Sequence, residues 1–557
     1  MSSRSAKKIR RFRVGALPLI DVIIRRMRLA EILAEHIPVS GREAISSVDV
    51  LLLLVANLTL AKDPLYELGQ WVDSLDLRVL GYRGRPSARF SDDRFARALD
   101  KLYETDRSAL MTAIVVSAIQ AFDVQLARIH NDSTSVKAFG RIPGRTRDGL
   151  ELSRGYSKDH RPDLKQLVYC LSISADGAVP VHHKVYSGNR NDETTHIETW
   201  ETLASIHGNP AFLYVADCKL CTKKQLSYIT DHGGKAITVL PEQLMEVRRF
   251  KDALRKQPKP KKAVWRRPKP SDESATEYFH VFDGAYQMDY GGYAIHWFVS
   301  SEKRKRDRFI REQNLCGAEA ALSELAPKLN AYRLKRKAAI QKKVTAILKK
   351  YQVEKFLNAD IRTHMQRLRK RKPGRPPKLV QYQYRNQISY SLEWSRNRNA
   401  LQAEKRIDGI FPLLCTDSSI PPKQVLQAWK FQPQIEKRFS QFKNFHRAAP
   451  LLFKKIHRVE ANMFVFFIAL MVQALLERSV RRGLRQRKAP PLKLYPEDRD
   501  APHPTTSQIF KTFDGLSSYA VIQDDRILEE YRDDLNPTHR ALLSLISIDE
   551  DRFWNAT

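Results

Sequence analysis

Two aspartates and one glutamate stand where a folded sheet could bring them together. Asp132 and Asp217 each follow a predicted strand, at residues 124–130 and 211–216. If those strands are neighbours, both carboxylates project from the same edge of the sheet. A third acid, Glu436, lies in a predicted helix. Three converging carboxylates suit Mg²⁺ or Mn²⁺, because these cations prefer oxygen ligands.

Such a site would favour phosphoryl transfer. With two metal ions about 4 Å apart, one activates a water or hydroxyl and the other stabilises the leaving oxygen. The chain has 62 Asp and Glu residues, however, and an Asp after a strand is often only a turn former or a helix cap. The pattern alone leaves both interpretations open.

The charge balance predicts a polyanionic partner. The 557 residues include 96 Lys and Arg, which give a formal net charge of +34. A balance this basic favours nucleic acid as the partner. The length predicts roughly three to four domains. A hydrophobic content of 42% is enough for real cores and excludes wholesale disorder.

Cysteine content and apolar stretches predict a cytoplasmic protein without a membrane partner. The basic amino terminus lacks the apolar run of a secretory signal. Residues 50–55 and 463–472 are apolar but shorter than the ~20 residues a membrane span needs, so we expect core helices. The five cysteines are too sparse for a disulfide scaffold. They are Cys170, Cys218, Cys221, Cys316 and Cys415.

The pattern of apolar residues predicts a helical region followed by a mixed sheet. Residues 1–120 show helical spacing without strand alternation. From residue 124 to 240, β-rich runs and helical segments follow the order β-β-β-α-β-α-β, which predicts a mixed sheet flanked by helices. The predicted strands are 124–130, 167–174, 178–186, 211–216 and 235–240.

The region beyond residue 240 is more basic. Residues 246–269 and 370–378 are rich in Lys, Arg and Pro, which predicts exposed, flexible polycations. Residues 278–300 alternate and contain Gly-Gly, which predicts a small antiparallel sheet. The remaining predicted elements are basic helices at 318–357, strands at 387–394 and 408–415, and helices at 433–445 and 457–479.

At the three acids the sequence resembles the DDE transposases of bacterial insertion sequences, in the branch with a Tyr-Arg-Glu-Lys signature (insertion-sequence family four). That signature reads Y-x2-R-x3-E-x6-K, and the matching residues here are Trp429, Gln432, Glu436 and Lys443. Glu and Lys match, whereas Trp replaces Tyr and Gln replaces Arg. The segments GYSKDHRPDLKQL, FLYVADC and DGIFPLLCTD also resemble this family, so the resemblance covers roughly 125–480.

The resemblance implies an α/β, RNase H-like catalytic core. Asp132 would lie on the first strand, Asp217 after the fourth and Glu436 on the helix after the fifth. A basic, partly β insertion would separate the second Asp from the Glu. The implied organisation is a helical DNA-end-binding domain at 1–120, the catalytic domain at 121–243 and 426–480, the insertion at 244–425, and a candidate dimerisation region at 481–557.

The resemblance also implies an activity. Mg²⁺ or Mn²⁺ held by the three acids would let water cut DNA at the ends of a mobile element. The freed 3′-OH would then attack target DNA. Partners would be the terminal inverted repeats, target DNA and a second copy of the chain, in the nucleoid of a bacterial cytoplasm. Two other classes stay open: a non-catalytic or decayed DNA-binding regulator, and a structure-selective nuclease.

Several basic and aromatic residues are candidate DNA contacts. Gln432 cannot clamp a phosphate as Arg does, so contacts would shift to Lys437, Arg438 or Lys443. Lys443 falls on the same helix face as Glu436, where it could contact a phosphate next to the metal ions. It could also be a simple surface charge. Trp429 could stack on a base, or pack in the core.

Two further basic segments are candidates, each with a simpler alternative. Lys158, Arg161 and Lys165 form a cluster that either contacts the DNA backbone or forms an internally paired turn. Arg375 lies in KPGRPPK, which resembles an AT-hook for narrow A·T minor grooves but also suits a basic linker. Cys218 and Cys221 form a lone CxxC without the two further ligands of a zinc site, so we expect packing thiols.

Overall fold

The computed structural model describes most of the chain. The described residues are 6–38, 45–60, 63–82, 90–137, 144–155, 164–190, 195–269, 272–282, 289–369, 384–444, 455–495, 497, 499–524 and 526–555.

The helices are distributed along the whole chain. They are α1 Leu17–Arg26, α2 Leu29–His36, α3 Ser47–Leu60, α4 Leu68–Asp73, α5 Asp92–Glu104, α6 Arg107–Phe122, α7 His196–His207, α8 Lys223–Asp231, α9 Met245–Lys256, α10 Ser301–Leu325, α11 Lys337–Lys350, α12 Arg398–Lys405, α13 Pro422–Trp429, α14 Pro433–Asn444, α15 Ile456–Gln486, α16 Thr506–Phe513, α17 Pro537–Leu545 and α18 Glu550–Trp554.

Strands occupy the middle of the chain and both ends. They are β1 Lys8–Arg13, β2 Arg128–Lys137, β3 Gln166–Ser174, β4 Pro180–Ser187, β5 Leu213–Val215, β6 Lys235–Val239, β7 Lys261–Lys269, β8 Asp272–Phe282, β9 Asp289–Tyr290, β10 Tyr293–Ser300, β11 Leu357–Arg369, β12 Tyr384–Arg396, β13 Ile410–Cys415, β14 Leu492–Lys493, β15 Asp500–Ala501, β16 Ser517–Gln523 and β17 Arg526–Arg532.

The chain divides into two compact units. The first comprises Met1–Thr238 and Gln427–Thr557, and the second comprises Val239–Leu426. The second unit is therefore a single segment inserted, in sequence, between the two parts of the first.

A mixed sheet organises the first unit. Its strands lie in the order β4-β3-β2-β5-β6. β3 pairs antiparallel with both β4 and β2. β5 pairs parallel with both β2 and β6. A hairpin turn at Ala175–Gly177 joins β3 to β4, and Gly177 takes the positive φ of 83° that such a turn requires. This order and these directions, with helices packed against the sheet, are those of an RNase H-like α/β fold, as the sequence predicted.

A long buried helix, α15, forms the core of the first unit. It packs against α3, α5, α1 and β4. α15 is long and apolar enough to cross a membrane, but 94% of its most apolar window is buried inside the protein. This burial is what a core helix requires, and it agrees with the interpretation of 463–472 as core.

The amino-terminal region departs from the all-helical prediction at two places. β1 pairs antiparallel with β16, more than 500 residues away in sequence. Its sequence, KIRRFR, shows no apolar alternation, so only this distant pairing reveals the strand. Residues 17–36 form two helices rather than one, because Arg28 adopts a left-handed conformation (φ 53°) between them. Ser46 caps the start of α3: the Asp49 backbone N–H donates to Ser46 Oγ at 3.0 Å.

The second unit contains an antiparallel sheet and a long two-stranded hairpin. The sheet has the order β13-β10-β8-β7, with β9 also paired to β10. Gly291 and Gly292 form the predicted turn between β9 and β10, both with positive φ. β11 and β12 pair with each other over thirteen residues. The predicted polycation at 370–378, including Arg375, lies outside the described residues.

The prediction of a flexible polycation at 246–269 was wrong. The segment folds as α9 followed by β7. α9 is amphipathic: Val247, Phe250 and Leu254 are buried, while its cations lie on the opposite side. Phe250 stacks on Trp297 with ring centroids 3.9 Å apart. The count of basic residues hid this helical spacing of apolar residues.

Buried histidines should make the stability of the first unit depend on pH. Burial lowers the pKa of His130 and His183 to about 3 and that of His182 to about 4. Unfolding restores the ordinary pKa, so the unfolded chain binds more protons at mildly acidic pH. Stability is therefore present above pH ~6.5 and is lost as the pH falls toward these values. We expect each histidine to lower the free energy of unfolding by about 2 kcal/mol at pH 5 relative to pH 7.5. Urea unfolding at the two pH values measures this difference.

The matched variant is His183→Phe. His183 packs against the rings of Tyr169 and Phe467, with centroids 5.5 and 4.7 Å away, so phenylalanine keeps the aromatic packing. In the variant, the difference in unfolding free energy between pH 7.5 and 5 should be smaller by the contribution of one histidine. An unchanged difference between pH 7.5 and 5 would contradict the assignment.

Candidate active site

Asp132 and Asp217 belong to two neighbouring parallel strands or the residues directly after them. β2 and β5 are neighbours, and their ladder ends with His130 opposite Val215. The same register, continued two residues further, sets Asp132 level with Asp217. Neighbouring strands lie about 4.8 Å apart, and residues at one level project from the same face. The prediction that these strands are neighbours is confirmed.

Each aspartate is fixed by a local backbone contact. Asp132 Oδ1 accepts from the Ser133 N–H at 2.7 Å, and Asp217 Oδ1 accepts from the Lys219 N–H at 3.0 Å. The second contact makes Asp217 the N-cap of a short 3₁₀ helix, Cys218–Leu220. Both residues are half-buried. The side chains are therefore held in place while part of each stays accessible to solvent.

The predicted bounds of the first of these strands need correction. Asp132 lies within β2 rather than after it, since the strand begins at Arg128 and continues to Lys137. β3 pairs with β2 as far as Lys137. The run Asn-Asp-Ser-Thr-Ser has too little apolar character to predict a strand, and pairing with β3 supplies the stabilisation.

Gln432 anchors the helix that carries Glu436 to the strand that carries Asp132. Its Nε2 donates to the Asn131 carbonyl at 3.0 Å, and its Oε1 lies 2.9 Å from His130 Nδ1. An amide oxygen can only accept, so His130 carries its proton on Nδ1. Gln432 is buried, and both ends of its amide are bonded within the protein. These contacts attach the start of α14 to β2.

A buried ion pair holds the same helix from its other side. The Arg438 guanidinium lies 3.0 Å from Glu477 of α15, and each side chain is 4% exposed. Arg438 also donates to the carbonyls of Gly177 and Ala178 in the β3–β4 turn. Burial alone would raise the pKa of Glu477, but Arg438 and then Arg481 outweigh it and hold that pKa below its ordinary value. Arg438 is thus unavailable as a DNA contact.

Glu436 lies on the accessible side of α14. It is exposed and follows Gln432 by four residues, one helical turn along. α14 packs against β2, the strand that carries Asp132, and against β3. Among the residues that the structure describes, no group of three or more His, Cys, Asp or Glu side chains lies close enough to hold a metal ion. The three-carboxylate metal site stays a prediction. Its all-oxygen donor set has the chemistry that Mg²⁺ or Mn²⁺ requires.

The other predicted contact residues fall in different environments. Lys165 and Lys437 are exposed, and Trp429 is half-buried, which suits either of its two interpretations. Lys158 and Arg161 lie outside the described residues, as does the side chain of Lys443. Cys218 and Cys221 are free thiols, half-buried and buried respectively.

A basic cavity beside α14 was missed by the sequence analysis. Its volume is about 730 Å³, and Lys437 lines it together with Arg481, Arg485 and Lys488 from the carboxyl-terminal part of α15 and the residues after it. These cations recur every three or four residues in SVRRGLRQRK, a helical spacing that could have revealed them. The cavity offers phosphate-binding groups close to the helix that carries Glu436.

Comparison with known proteins gives limited information. A family model described as a domain of unknown function (DUF4277) matches residues 9–116. A search of curated proteins gave no match. Among solved structures, a cryo-EM structure of a piggyBac transposase synaptic complex with hairpin DNA matches 89% of this chain and 87% of its own, with 10% sequence identity and a TM-score of 0.33. A likeness at that score carries no argument about function.

Breaking the Arg438–Glu477 pair should cost far more than removing a neighbouring surface cation. Arg438→Met leaves the Glu477 carboxylate buried without its partner, which should cost about 3–5 kcal/mol. Lys437→Met, at the adjacent exposed position, should change stability by less than about 0.5 kcal/mol. Urea unfolding of both variants measures the difference.

A double variant separates lost charge pairing from lost packing. Adding Glu477→Gln to Arg438→Met removes the unpaired charge and keeps an acceptor for the Thr506 N–H, which Glu477 binds at 3.0 Å. The double variant should be more stable than the sum of the two single losses predicts. Simple additivity would show that the pair is not coupled.

Proposed function

We propose that this chain is a DNA transposase that cuts and joins DNA by phosphoryl transfer, as the family resemblance implies. The observation that carries the proposal is the parallel pairing of β2 with β5, whose register, extended two residues beyond its last pair, sets Asp132 level with Asp217. Two carboxylates at one level of a sheet, with a third on a helix packed against the same sheet, form an arrangement suited to divalent cations and phosphate esters.

Asp132, Asp217 and Glu436 would hold Mg²⁺ or Mn²⁺. The bound cations would activate the attacking oxygen and neutralise charge on the leaving oxygen. The chain's own residues position the reaction: the backbone contacts of both aspartates fix their carboxylates, and Gln432 fixes the helix that carries Glu436. Because that geometry is set before substrate binds, little reorganisation is needed during the reaction.

The charge distribution supports DNA as the substrate. The formal net charge is +34, and the exposed Lys437 directly follows Glu436 and lines the basic cavity. Phosphate contacts by such residues supply affinity without sequence information. We further propose a bacterial insertion sequence of the Tyr-Arg-Glu-Lys branch as its origin. We also propose that two copies act together, since both DNA ends must be held at once.

Removing either aspartate should abolish chemistry but preserve the fold. Asp217→Asn and Asp132→Asn keep the shape and the oxygen that accepts the local backbone N–H, but remove the charge that a divalent cation needs. We expect strand cleavage with Mg²⁺ to fall by on the order of 10³-fold or more. The assay uses duplexes that carry the inverted repeats flanking the coding region.

The matched control is Asp231→Asn, at an exposed position at the end of α8. It changes the net charge equally and should retain full activity. Strand joining by the wild type, measured with pre-cleaved ends and target DNA, distinguishes a transposase from a nuclease that cuts but never joins. Full cleavage by Asp217→Asn would overturn the proposal.

A further inference from the structure

A long two-stranded ribbon in the second unit has an exposed outer half. β11 and β12 pair from Leu357 opposite Arg396 to Arg369 opposite Tyr384. At about 3.4 Å per residue each strand extends some 44 Å. We call residues 364–369 and 384–389 the distal ribbon. Nearly every described side chain there is exposed or half-buried.

The inner half of the ribbon is anchored in a core, so the distal ribbon stands on a stable base. Leu357 and Leu392 are buried in a cluster with α10 and α11, and Ile361, Tyr390 and Trp394 pack against it. These residues share one face, because paired residues and every second residue along a strand project to the same side. The cluster ends where the distal ribbon begins.

Beyond the core this same face carries a different set of side chains. Met365 pairs with Ile388, Arg367 with Asn386, and Arg369 with Tyr384. Met365 is 69% exposed and Ile388 54% exposed, although both lie on the strand face that is apolar and covered nearer the base. Arg367 lies over the Tyr384 ring, 4.6 Å from its centroid. The face therefore passes from core packing to an exposed apolar pair and then to cationic and polar pairs.

The charge of the distal ribbon is uniform in sign. Arg367, Arg369 and Arg385 are its charged residues, and it contains no Asp or Glu. Nearer the base the pattern differs: Arg362 pairs with Glu393 at 3.0 Å. The distal ribbon thus supplies only positive charge of its own, which favours an anionic partner.

We propose that the distal ribbon binds duplex DNA in the major groove with the face that carries Arg367 and Asn386. A two-stranded ribbon fits the ~12 Å width of that groove. Arg and Asn are the side chains that pair bidentately with guanine and adenine edges, and apolar groups such as Met365 and Ile388 suit thymine methyls. The inference rests on the proposed function for its choice of DNA, but requires binding alone and no catalysis.

The test measures DNA binding by the full chain. The probe is a fluorescein-labelled 40-base-pair duplex of random sequence, titrated at several salt concentrations. Arg367→Gln/Arg369→Gln should weaken binding at least about tenfold, because both cations lie on the proposed DNA-binding face. This double variant should also make the slope of log affinity against log salt shallower by roughly one to two, since each phosphate contact contributes about 0.9. The changed residues are exposed, so urea unfolding should match the wild type.

Two controls make the result specific. Arg362→Gln removes an exposed, acid-paired cation from the opposite face of the same ribbon and should leave affinity within about twofold. Asp217→Asn should keep wild-type binding while losing cleavage, so that failure of the ribbon inference and failure of the proposed function give different results. Selection from a randomised duplex pool with the wild type should enrich a sequence motif. The same selection with Asn386→Ala should lose the preference at one base pair of that motif.

Three outcomes would overturn the inference. The double variant could bind DNA with unchanged affinity and salt slope. Duplex RNA of the same sequence could compete equally, although its deep, narrow major groove excludes a ribbon. The double variant could lose affinity for anionic lipid vesicles but keep its affinity for DNA, which would assign the ribbon to a membrane surface.

Discussion

The buried contact of Gln432 with His130 and Asn131 is the interaction on which the candidate site depends. These residues are about 300 apart in sequence, and the whole second unit lies between them in the chain. A helix that returns after so long an insertion has no local constraint on its position. Hydrogen bonds to a backbone carbonyl and to a fixed imidazole tautomer specify both its distance and its rotation. Burial keeps His130 neutral, because its pKa falls to about 3, so the contact is not altered near neutral pH.

The Arg438–Glu477 pair adds a second fixed point six residues along the same helix. A buried ion pair contributes little net stability, because desolvation offsets most of the attraction, but misplacing either partner is costly. The pair therefore selects one position of α14 against α15 and the β3–β4 turn. Phe442 completes the attachment by stacking on Tyr169 of β3, with ring centroids 4.6 Å apart. These three contacts leave Glu436 and Lys437 exposed on the same helix.

Sequence reasoning succeeded where apolar periodicity and turn chemistry were strong, and failed where tertiary contacts decide. β3, β4 and the turn at Gly177 follow from apolar runs joined by Asp-Gly. β1 and the polar end of β2 are strands only because distant partners pair with them. α9 was missed because its cations outnumber Val247, Phe250 and Leu254, although three buried residues suffice to seat a helix. The adjacency of Asp132 and Asp217 needed the parallel pairing of β2 with β5, which no local pattern encodes.

Glutamine at position 432, where the resembled signature has arginine, has a physical explanation in its surroundings. Position 432 faces the Asn131 carbonyl, which needs a donor, and the His130 N–H, which needs an acceptor. Glutamine supplies both in one amide, whereas arginine has five donors and no acceptor and would bury a charge beside an imidazole. Gln432 and neutral His130 are therefore matched to each other, and the contact belongs to the buried framework that positions α14.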